Sequence, residues 1–264
     1  MQREMQFEDG GTGAEAAAVK TGAEGSTSES TAAEKRIPDL TERLRGVADR
    51  IGLEVDGDVY RRAGRDPRDP VLLGSGRLDV PLGIFGRDPG ATEIELGEPF
   101  IGAGGQLVRR ALLAHGGVEP PAGDRHLRSI GTHVFWANTV PYKPVGNKAW
   151  GIRVRRAFRP VIAELIEKRW TGCDLITLGN NAFFWFGLDD REVATRLSEF
   201  WERDDRYTAS IEVPLGAKFV RLHPLPHPSP LNARYFREFP EMMGRRLAAL
   251  EWKPPRQGGG RPPV

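Results

Sequence analysis

Three polar side chains in this sequence, Asp88, Asn138 and His227, are of types that can move a proton or read a hydrogen-bonding edge. Asp88 lies in the turn Gly86–Gly90, Gly-Arg-Asp-Pro-Gly, whose glycines permit a tight bend and whose proline fixes its own φ. Asn138 carries both a donor and an acceptor in its amide. His227 lies in a loop with four prolines, which keep the chain stiff. Taken singly, each residue also fits a plainer role, as a turn cap, a turn residue or a surface histidine in a connector.

A further candidate segment runs from Gly97 to Gly105. Phe100 in this segment is either a core residue or a ring on whose face a base can stack. The backbone amides near Gly104 and Gly105 open a predicted helix, and such amides can hold a phosphate.

Apolar strands and amphipathic helices alternate along the chain and must position these residues. The predicted strands are Val80–Phe85, His133–Ala137, Asp174–Leu178 and Lys218–Leu222. The predicted helices are Pro38–Ile51, Gly104–His115, Arg153–Trp170, a short one between Gly179 and Phe186, and Ala233–Trp252. Strands separated by helices predict an α/β fold, with three α/β/α layers around a central, mainly parallel four-stranded sheet. Because ligands bind at the carboxyl ends of parallel strands, we expect Asp88, Asn138 and His227 to meet at one edge of the sheet.

The composition excludes several classes of protein. The chain has 264 residues, a formal net charge of +2 and one cysteine, Cys173. A disulfide framework is therefore excluded, and so is any zinc or iron–sulfur site built from several cysteines of one chain. Every apolar run is too short to span a bilayer, and residues 1–25 lack the apolar segment of a secretory signal. We expect a cytoplasmic, monomeric protein without membrane contact and without a cofactor.

One domain, residues 37–253, is expected between two tails. Residues 1–36 are of low complexity and hold few large apolar side chains. Such a segment buries too little surface to offset its chain entropy, so we predict that it is disordered. Residues 254–264 are predicted to be disordered for the same reason.

Three blocks of the chain resemble motifs of the uracil-DNA glycosylase superfamily, and the resemblance covers about residues 80–250. Gly86–Gly90 together with Glu98–Gly102 matches in spacing the first motif of the iron–sulfur-containing type, G-E-x-P-G … G-x-P-F-V-G. Asn138–Lys148 resembles the block N-V-V-K-C-R-P-P-G-N-R of that type. His227–Leu231 resembles the H-P-S-P-L loop, which is shared with the cluster-free housekeeping type.

The departures from these motifs are informative. Where the cluster-containing type has cysteines, this chain has Tyr142 and Phe158, so we predict no cluster and expect large side chains to fill that space. Asp88 coincides with the Asp of G-Q-D-P-Y in the housekeeping type, whereas Arg87 replaces the Glu of the cluster-containing type. Gly90 stands where the housekeeping type has a Tyr that blocks 5-substituted pyrimidines, which leaves room for such a base.

The resemblance and the chemistry of glycosidic cleavage together imply roles for these residues. Cleavage builds positive charge on the sugar and negative charge on the departing base. Asp88 is expected to stabilise the sugar cation and orient the water, and His227 to stabilise the base oxyanion as a neutral donor. Asn138 is expected to hold the base edge and Phe100 to stack on its face, while Leu231 resembles the wedge that enters the duplex. The other expected contacts are Gly86 and Arg87 with the base, and Ser229, Lys143, Lys148 and Arg234 with DNA.

The expected function is therefore a DNA glycosylase of base excision repair, which flips out uracil or a modified pyrimidine and hydrolyses its N-glycosidic bond. One alternative is a glycosylase for a bulky modified base in phage defence, which Gly90 permits. Another is a non-catalytic DNA-binding protein on the same fold, which Arg87 makes conceivable and the joint presence of the three polar residues opposes. A rival assignment gives the carboxylate role to Glu93 or Glu95.

Overall fold

The structure, a computed structural model, describes residues 37–74, 76–118, 124–146, 148–229 and 232–254. The predicted disordered tails lie outside these ranges, apart from the first residue of the C-terminal one, and so does Leu231. The chain divides into residues 1–38 and residues 39–264. The fold described below belongs to the second unit, except for the first two residues of one helix. No helix within the described ranges is long and apolar enough to cross a membrane.

A five-stranded sheet forms the centre of this fold. Its strands are β1 (Leu82–Gly86), β2 (Phe135–Asn138), β3 (Asp174–Leu178), β4 (Ile211–Leu215) and β5 (Lys218–Leu225). Their order in the sheet is β2-β1-β3-β5-β4. β1 pairs in parallel with β2 and with β3, and β3 pairs in parallel with β5. The predicted α/β class and mainly parallel sheet are confirmed, with five strands rather than four.

β4 is the strand that the sequence pattern did not predict. It pairs antiparallel with β5 at the edge of the sheet, and only Val213 and Leu215 of its residues are buried. It also contains Pro214, which has no N–H to donate to a neighbouring strand. An edge strand needs neither two apolar faces nor partners on both sides, so its apolar signal is weak.

Helices cover both faces of the sheet. The α-helices are α1 (Ile37–Ile51), α2 (Gly57–Arg62), α3 (Ala91–Leu96), α4 (Ala103–His115), α5 (Asp124–Ile130), α6 (Ile152–Glu164), α7 (Asn180–Phe183), α8 (Arg191–Trp201) and α9 (Ala233–Ala249). Successive strand residues point to opposite faces, and the core is divided accordingly. Phe85 packs in a cluster with Leu44 of α1 and Phe158 of α6. Its neighbour Ile84 packs in a second cluster with Leu112 of α4 and further residues of α5 and α9. The three-layer arrangement is therefore confirmed.

The register of the strands brings their carboxyl ends together. Gly86 at the end of β1 pairs with Asn138 at the end of β2. Leu178 at the end of β3 pairs with Leu225 at the end of β5, and the N–H of Gly179 donates to the carbonyl of Leu225 at 2.8 Å. The loops that follow these strands consequently open on the same edge of the sheet.

Two helix ends differ from the sequence prediction by more than one residue. The helix predicted as Arg153–Trp170 is regular only to Glu164 and continues as a π-helix, Leu165–Arg169. The closing helix ends at Ala249 rather than at Trp252. The short helices α2, α3 and α5 were not predicted, because six or seven residues hold too few turns to show a period. α8 also lies in a stretch for which no element was predicted.

Candidate active site

A cavity of about 350 Å³ opens at the carboxyl edge of the sheet. It lies where the loops after β1, β2 and β5 meet, which is the usual place for a ligand in a sheet of this class. Its wall includes eight of the residues predicted to contact the base or DNA or to act in catalysis, namely Gly86, Arg87, Asp88, Phe100, Asn138, Lys143, His227 and Ser229. It also includes Gly90, the rival carboxylate Glu93, and Gly104 and Gly105. The loops therefore bring most of the predicted site residues to one place.

Asp88 is almost completely buried in the wall of this cavity. Its side chain is 3% exposed, and its Oδ1 lies 3.0 Å from Nε of Arg87. Burial raises the pKa of Asp88 to about 6, and the charges of Arg87, Lys143 and Arg155 oppose this rise without cancelling it. The carboxyl group is thus mostly ionised at neutral pH and becomes protonated below pH 6.

The turn that carries Asp88 is fastened to the chain beyond β2. The N–H of Thr139 donates to the carbonyl of Gly86 at 2.9 Å, and its hydroxyl donates to the carbonyl of Arg87 at 2.5 Å. The N–H of Val140 donates to the same carbonyl of Arg87 at 3.3 Å. These bonds fix the peptide groups before and after Arg87, and they thereby restrict the position of the neighbouring Asp88 carboxylate.

Phe100 lies over Gly86 in an unusual backbone conformation. Its φ of 56° is in the left-handed region, which costs a residue with a Cβ about 1–2 kcal/mol. A Cβ atom on Gly86 would lie 2.6 Å from the Phe100 ring and 3.1 Å from Oδ1 of Asn138. Only glycine therefore fits beneath the ring, which also contacts the Trp136 ring with 5.0 Å between centroids.

Arg109, which sequence reasoning missed, holds Phe100 in this conformation. The Arg109 side chain is fully buried and pairs with Glu98 at 2.8 Å. Its three nitrogens donate to the carbonyls of Phe100 at 2.8 Å, Leu127 at 2.7 Å and Pro99 at 2.9 Å. Its role could have been inferred from its position on the buried face of α4, because a buried arginine needs hydrogen-bond acceptors or an ion-pair partner.

Glu93, the rival carboxylate, joins the two loops that form the first motif. One of its oxygens accepts the N–H of Gly90 at 3.0 Å, and the other accepts the N–H of Gly102 at 2.8 Å. The first of these bonds also caps the start of α3. Both oxygens are therefore occupied by backbone donors, although the side chain lies on the cavity wall. Glu95 is exposed and is not among the wall residues.

His227 reaches the cavity from the loop after β5, which passes close to α4 and to the end of β3. A Cβ on Gly104 would lie 2.5 Å from the carbonyl oxygen of Pro228, and a Cβ on Gly179 would lie 3.0 Å from Cβ of His227. The imidazole is accessible from the solvent side. Even so, the surrounding protein atoms displace water around it, and this desolvation, with the charge of Arg87 second, lowers the pKa of His227 to about 4. The imidazole is consequently neutral at physiological pH.

Asn138 brings an unused hydrogen-bond donor to the cavity. Its side chain is 2% exposed, and its Nδ2 has no hydrogen-bond partner among the described residues. Leaving a buried amide donor unpaired costs about 1–3 kcal/mol, so this group is suited to a ligand that accepts a hydrogen bond.

Lys143 is bound inside its own loop. The side chain is buried, its Nζ lies 3.3 Å from Asp56 Oδ2, and it donates to the carbonyls of Pro144, at 3.1 Å, and of Gly146. Contact with a DNA phosphate would require these bonds to break. Lys143 therefore fixes the loop after Asn138, a role that its sequence position did not reveal.

The chain beyond this loop is exposed. Lys148 and Arg153 are both exposed, and no ion pair of either is found within the described part of the chain. Val145, which precedes Lys148, exposes 54% of its surface, and Ile152, which lies between Lys148 and Arg153, exposes 50%. Two cations and two apolar side chains thus share one segment next to the cavity.

The loop after His227 is described only in part. Ser229 lies on the cavity wall, and its N–H donates to the carbonyl of His227 at 2.8 Å. Leu231 and the side chain of Arg234 lie outside the described part of the chain, although the backbone of Arg234 belongs to the first turn of α9. Their predicted contacts with DNA stay predictions.

The two residues that stand in place of cysteines pack against each other. The rings of Tyr142 and Phe158 are fully buried with centroids 5.5 Å apart, and the Tyr142 hydroxyl donates to the carbonyl of Arg68 at 3.0 Å. Neither side chain offers a thiolate. The described residues include no group of three or more His, Cys, Asp or Glu placed to hold a metal ion. These residues do not fit an iron–sulfur cluster.

The fold and the cavity define a three-layer α/β protein with an acid, an amide and a neutral imidazole at the carboxyl edge of its sheet. A sequence profile of the Uracil DNA glycosylase superfamily matches residues 73–251, which is more than half of the chain. The chain belongs to this superfamily, and the resemblance seen in its motifs is confirmed. A curated relative, the type-4 uracil-DNA glycosylase of Pyrobaculum aerophilum, is 36% identical over 81 residues. The match covers 31% of this chain and only 35% of that enzyme.

Proposed function

We propose that the protein is a DNA glycosylase that flips a pyrimidine base out of DNA and hydrolyses its N-glycosidic bond. The observation that carries the proposal is the arrangement of Asp88, Asn138 and His227 around one cavity. An abasic site is the product, and base excision repair is the process that uses it. The family and the similarity to a type-4 uracil-DNA glycosylase support this choice of reaction.

Asp88 acts on the sugar side of the bond. Its ionised carboxylate stabilises the positive charge that develops on the deoxyribose and orients the attacking water by a hydrogen bond. The water oxygen bonds to C1′ as the bond from C1′ to the base nitrogen breaks. That bonding pair leaves with the base, and the proton that the water loses passes to the Asp88 carboxylate. Because the pKa of Asp88 is about 6, excision is expected to fail progressively as the pH falls below 6.

His227 acts on the base side. An anionic pyrimidine carries much of its charge on O2, where a neutral imidazole can donate a hydrogen bond without transferring its proton. The pKa of His227, about 4, keeps the imidazole in this neutral form above that pH. At neutral pH the site thus has an anionic carboxylate for the sugar side and a neutral hydrogen-bond donor for the base side.

The base itself is held by an edge contact and a face contact. Asn138 supplies the free amide to the edge of the base, and the ring of Phe100 supplies a stacking surface on the cavity wall. Gly90 is also part of that wall and places no side chain in the cavity. A Cβ on Gly90 would lie 2.7 Å from Oε2 of Glu93, so the glycine keeps this part of the wall clear of a further side chain. Pyrimidines with a substituent at C5, including a bulky base in phage DNA, are therefore candidate substrates beside uracil.

The DNA backbone is proposed to lie against the segment next to the cavity. Lys148 and Arg153 supply positive charge for phosphates, and the exposed Val145 and Ile152 supply apolar contact beside them. Lys143 is not part of this surface, since its ammonium group is held by Asp56.

The proposal is tested with duplex and single-stranded oligonucleotides that contain uracil, mismatched thymine, hypoxanthine or a 5-modified cytosine. The expected product is an abasic site, so the strand breaks only after alkali. Glu95→Gln, a change of an exposed carboxylate outside the cavity, serves as the matched control for Asp88→Asn. Binding of DNA without excision of any base would favour the non-catalytic alternative.

A further inference from the structure

Arg87 is a charged residue of the cavity wall to which the proposed reaction gives no role. Its side chain is 26% exposed and lines the cavity beside Asp88 and His227. Its Nε lies 3.0 Å from Oδ1 of Asp88. The carbonyl of Arg87 accepts bonds from Thr139 and Val140, so the guanidinium extends from a fixed piece of backbone.

Most of the charged groups around Asp88 are bound to other partners. Lys143 is held by Asp56. Arg155, on α6, donates to the carbonyl of Asn181 at 3.4 Å. Glu93, the other carboxylate on the wall, has both oxygens on backbone N–H groups. Among the described residues, Arg87 is thus the cation in direct contact with the Asp88 carboxylate.

We propose that Arg87 is a positioning residue that keeps both Asp88 and His227 deprotonated: its guanidinium contacts the Asp88 carboxylate and lines the same cavity as His227, so its positive charge favours an ionised carboxylate and a neutral imidazole together. The inference rests on the proposed function, because these are the states that the proposed hydrolysis uses.

Elementary electrostatics gives the sign of both effects. A positive charge stabilises a neighbouring carboxylate, and the attraction of Arg87 lowers the pKa of Asp88 against the larger effect of burial. The same charge disfavours a second positive charge, and it lowers the pKa of His227 further below its ordinary value. Removing the guanidinium therefore protonates Asp88 at a higher pH and makes His227 easier to protonate.

The consequence is a loss of activity that depends on pH. If the pKa of Asp88 rose by one unit from about 6, its ionised fraction would fall about fivefold at pH 6 and by less than about 1.1-fold at pH 8.5. An arginine that only contacted DNA would have no such effect, because the loss on its removal would be similar at every pH.

The first experiment measures single-turnover excision between pH 5 and pH 9 with enzyme in excess over DNA. Arg87→Gln is expected to move the acid limb of the profile to higher pH, while Arg87→Lys, which keeps the charge, stays close to the parent. Arg110→Gln, which changes an exposed arginine of α4, is the matched control. Arg87→Met is a second neutral variant, and thermal melts verify that each variant is folded. A loss that is uniform in pH, or a lysine variant no better than glutamine, would overturn the proposal.

The second experiment needs no activity. The carboxyl carbon of Asp88 is followed by NMR in the free protein as the pH changes, and the signal is assigned by its disappearance in Asp88→Asn. The Arg87→Gln variant is expected to titrate at higher pH than the parent, and an unchanged titration would overturn the proposal. If the parent excises no base, the proposed function fails while this titration still decides the role of Arg87.

Discussion

Replacing Asp88 with asparagine removes a negative charge from a buried position while the side chain keeps its size. The side chain is 3% exposed, and burial raises its pKa from the ordinary 3.8 to about 6. A raised pKa means that the folded protein binds this proton more tightly than the unfolded chain does. The ionised carboxylate therefore destabilises the fold, and the stability present below pH 4 is lost as the pH rises through 6.

The size of the effect follows from the two pKa values. Ionisation of Asp88 lowers the free energy of unfolding of the parent protein by about 3 kcal/mol at pH 8 and by about half of that at pH 5. The asparagine amide, if it finds no partner, costs about 1–3 kcal/mol at both pH values. The stability of Asp88→Asn relative to the parent is thus expected to increase by about 1.5 kcal/mol between pH 5 and pH 8.

Urea unfolding of both proteins at pH 5 and pH 8 measures this difference. In melting temperature it corresponds to about 3–6 °C for a domain of this size. Single-turnover excision by the variant at pH 8 is expected to fall by at least about 10²-fold. An equal stability difference at both pH values would contradict the raised pKa of Asp88, and a normal excision rate in the variant would contradict its catalytic role.

The remaining predictions concern the other parts of the site. His227→Ala is expected to slow excision by about 10²–10³-fold, as for the loss of one oxyanion donor, whereas His126→Ala, an exposed change on α5, leaves the rate unchanged. Glu93→Gln is expected to lower the free energy of unfolding by about 1–3 kcal/mol, because an amide cannot accept both backbone N–H groups; full stability with complete loss of excision would instead support the rival carboxylate. Replacing Lys148 and Arg153 by Gln together is expected to reduce the salt slope of duplex binding by about 1.8 if each neutralises one phosphate, and an unchanged slope argues against this surface. Metal analysis of the purified protein is expected to find no stoichiometric iron, and a brown protein would contradict this.

The convergence of Asp88, Asn138 and His227 could be predicted because local signals determine it. Each of the three follows an apolar strand, and parallel strands place their carboxyl ends on one edge. Period and turn residues are readable in a single sequence, so the layers of the fold followed as well. The edge strand β4 was not predicted, because it contains Pro214 and buries only some of its residues, so its apolar pattern in the sequence is weak.

The supports of the site could not be predicted because they depend on contacts between distant segments. Lys143 looked like a phosphate ligand in its loop, but its ammonium group is paired with Asp56. Glu93 was the rival candidate for the catalytic carboxylate, but its oxygens bridge two backbone loops. Arg109 belongs to none of the sequence motifs, and its role depends on the backbone carbonyls to which it donates hydrogen bonds. Sequence patterns specify which face a residue takes, whereas its partners follow only from the folded chain.

Excision of uracil from a labelled oligonucleotide is the decisive measurement for the proposed glycosylase activity. The parent protein is incubated in excess with a uracil-containing duplex at pH 8, and the strand is examined before and after alkali. We expect an intact strand before alkali, cleavage at the uracil position after it, and no cleavage with Asp88→Asn. The proposed activity on uracil is wrong if the parent protein binds the duplex but leaves the uracil in place, or if the Asp88 variant cleaves equally well.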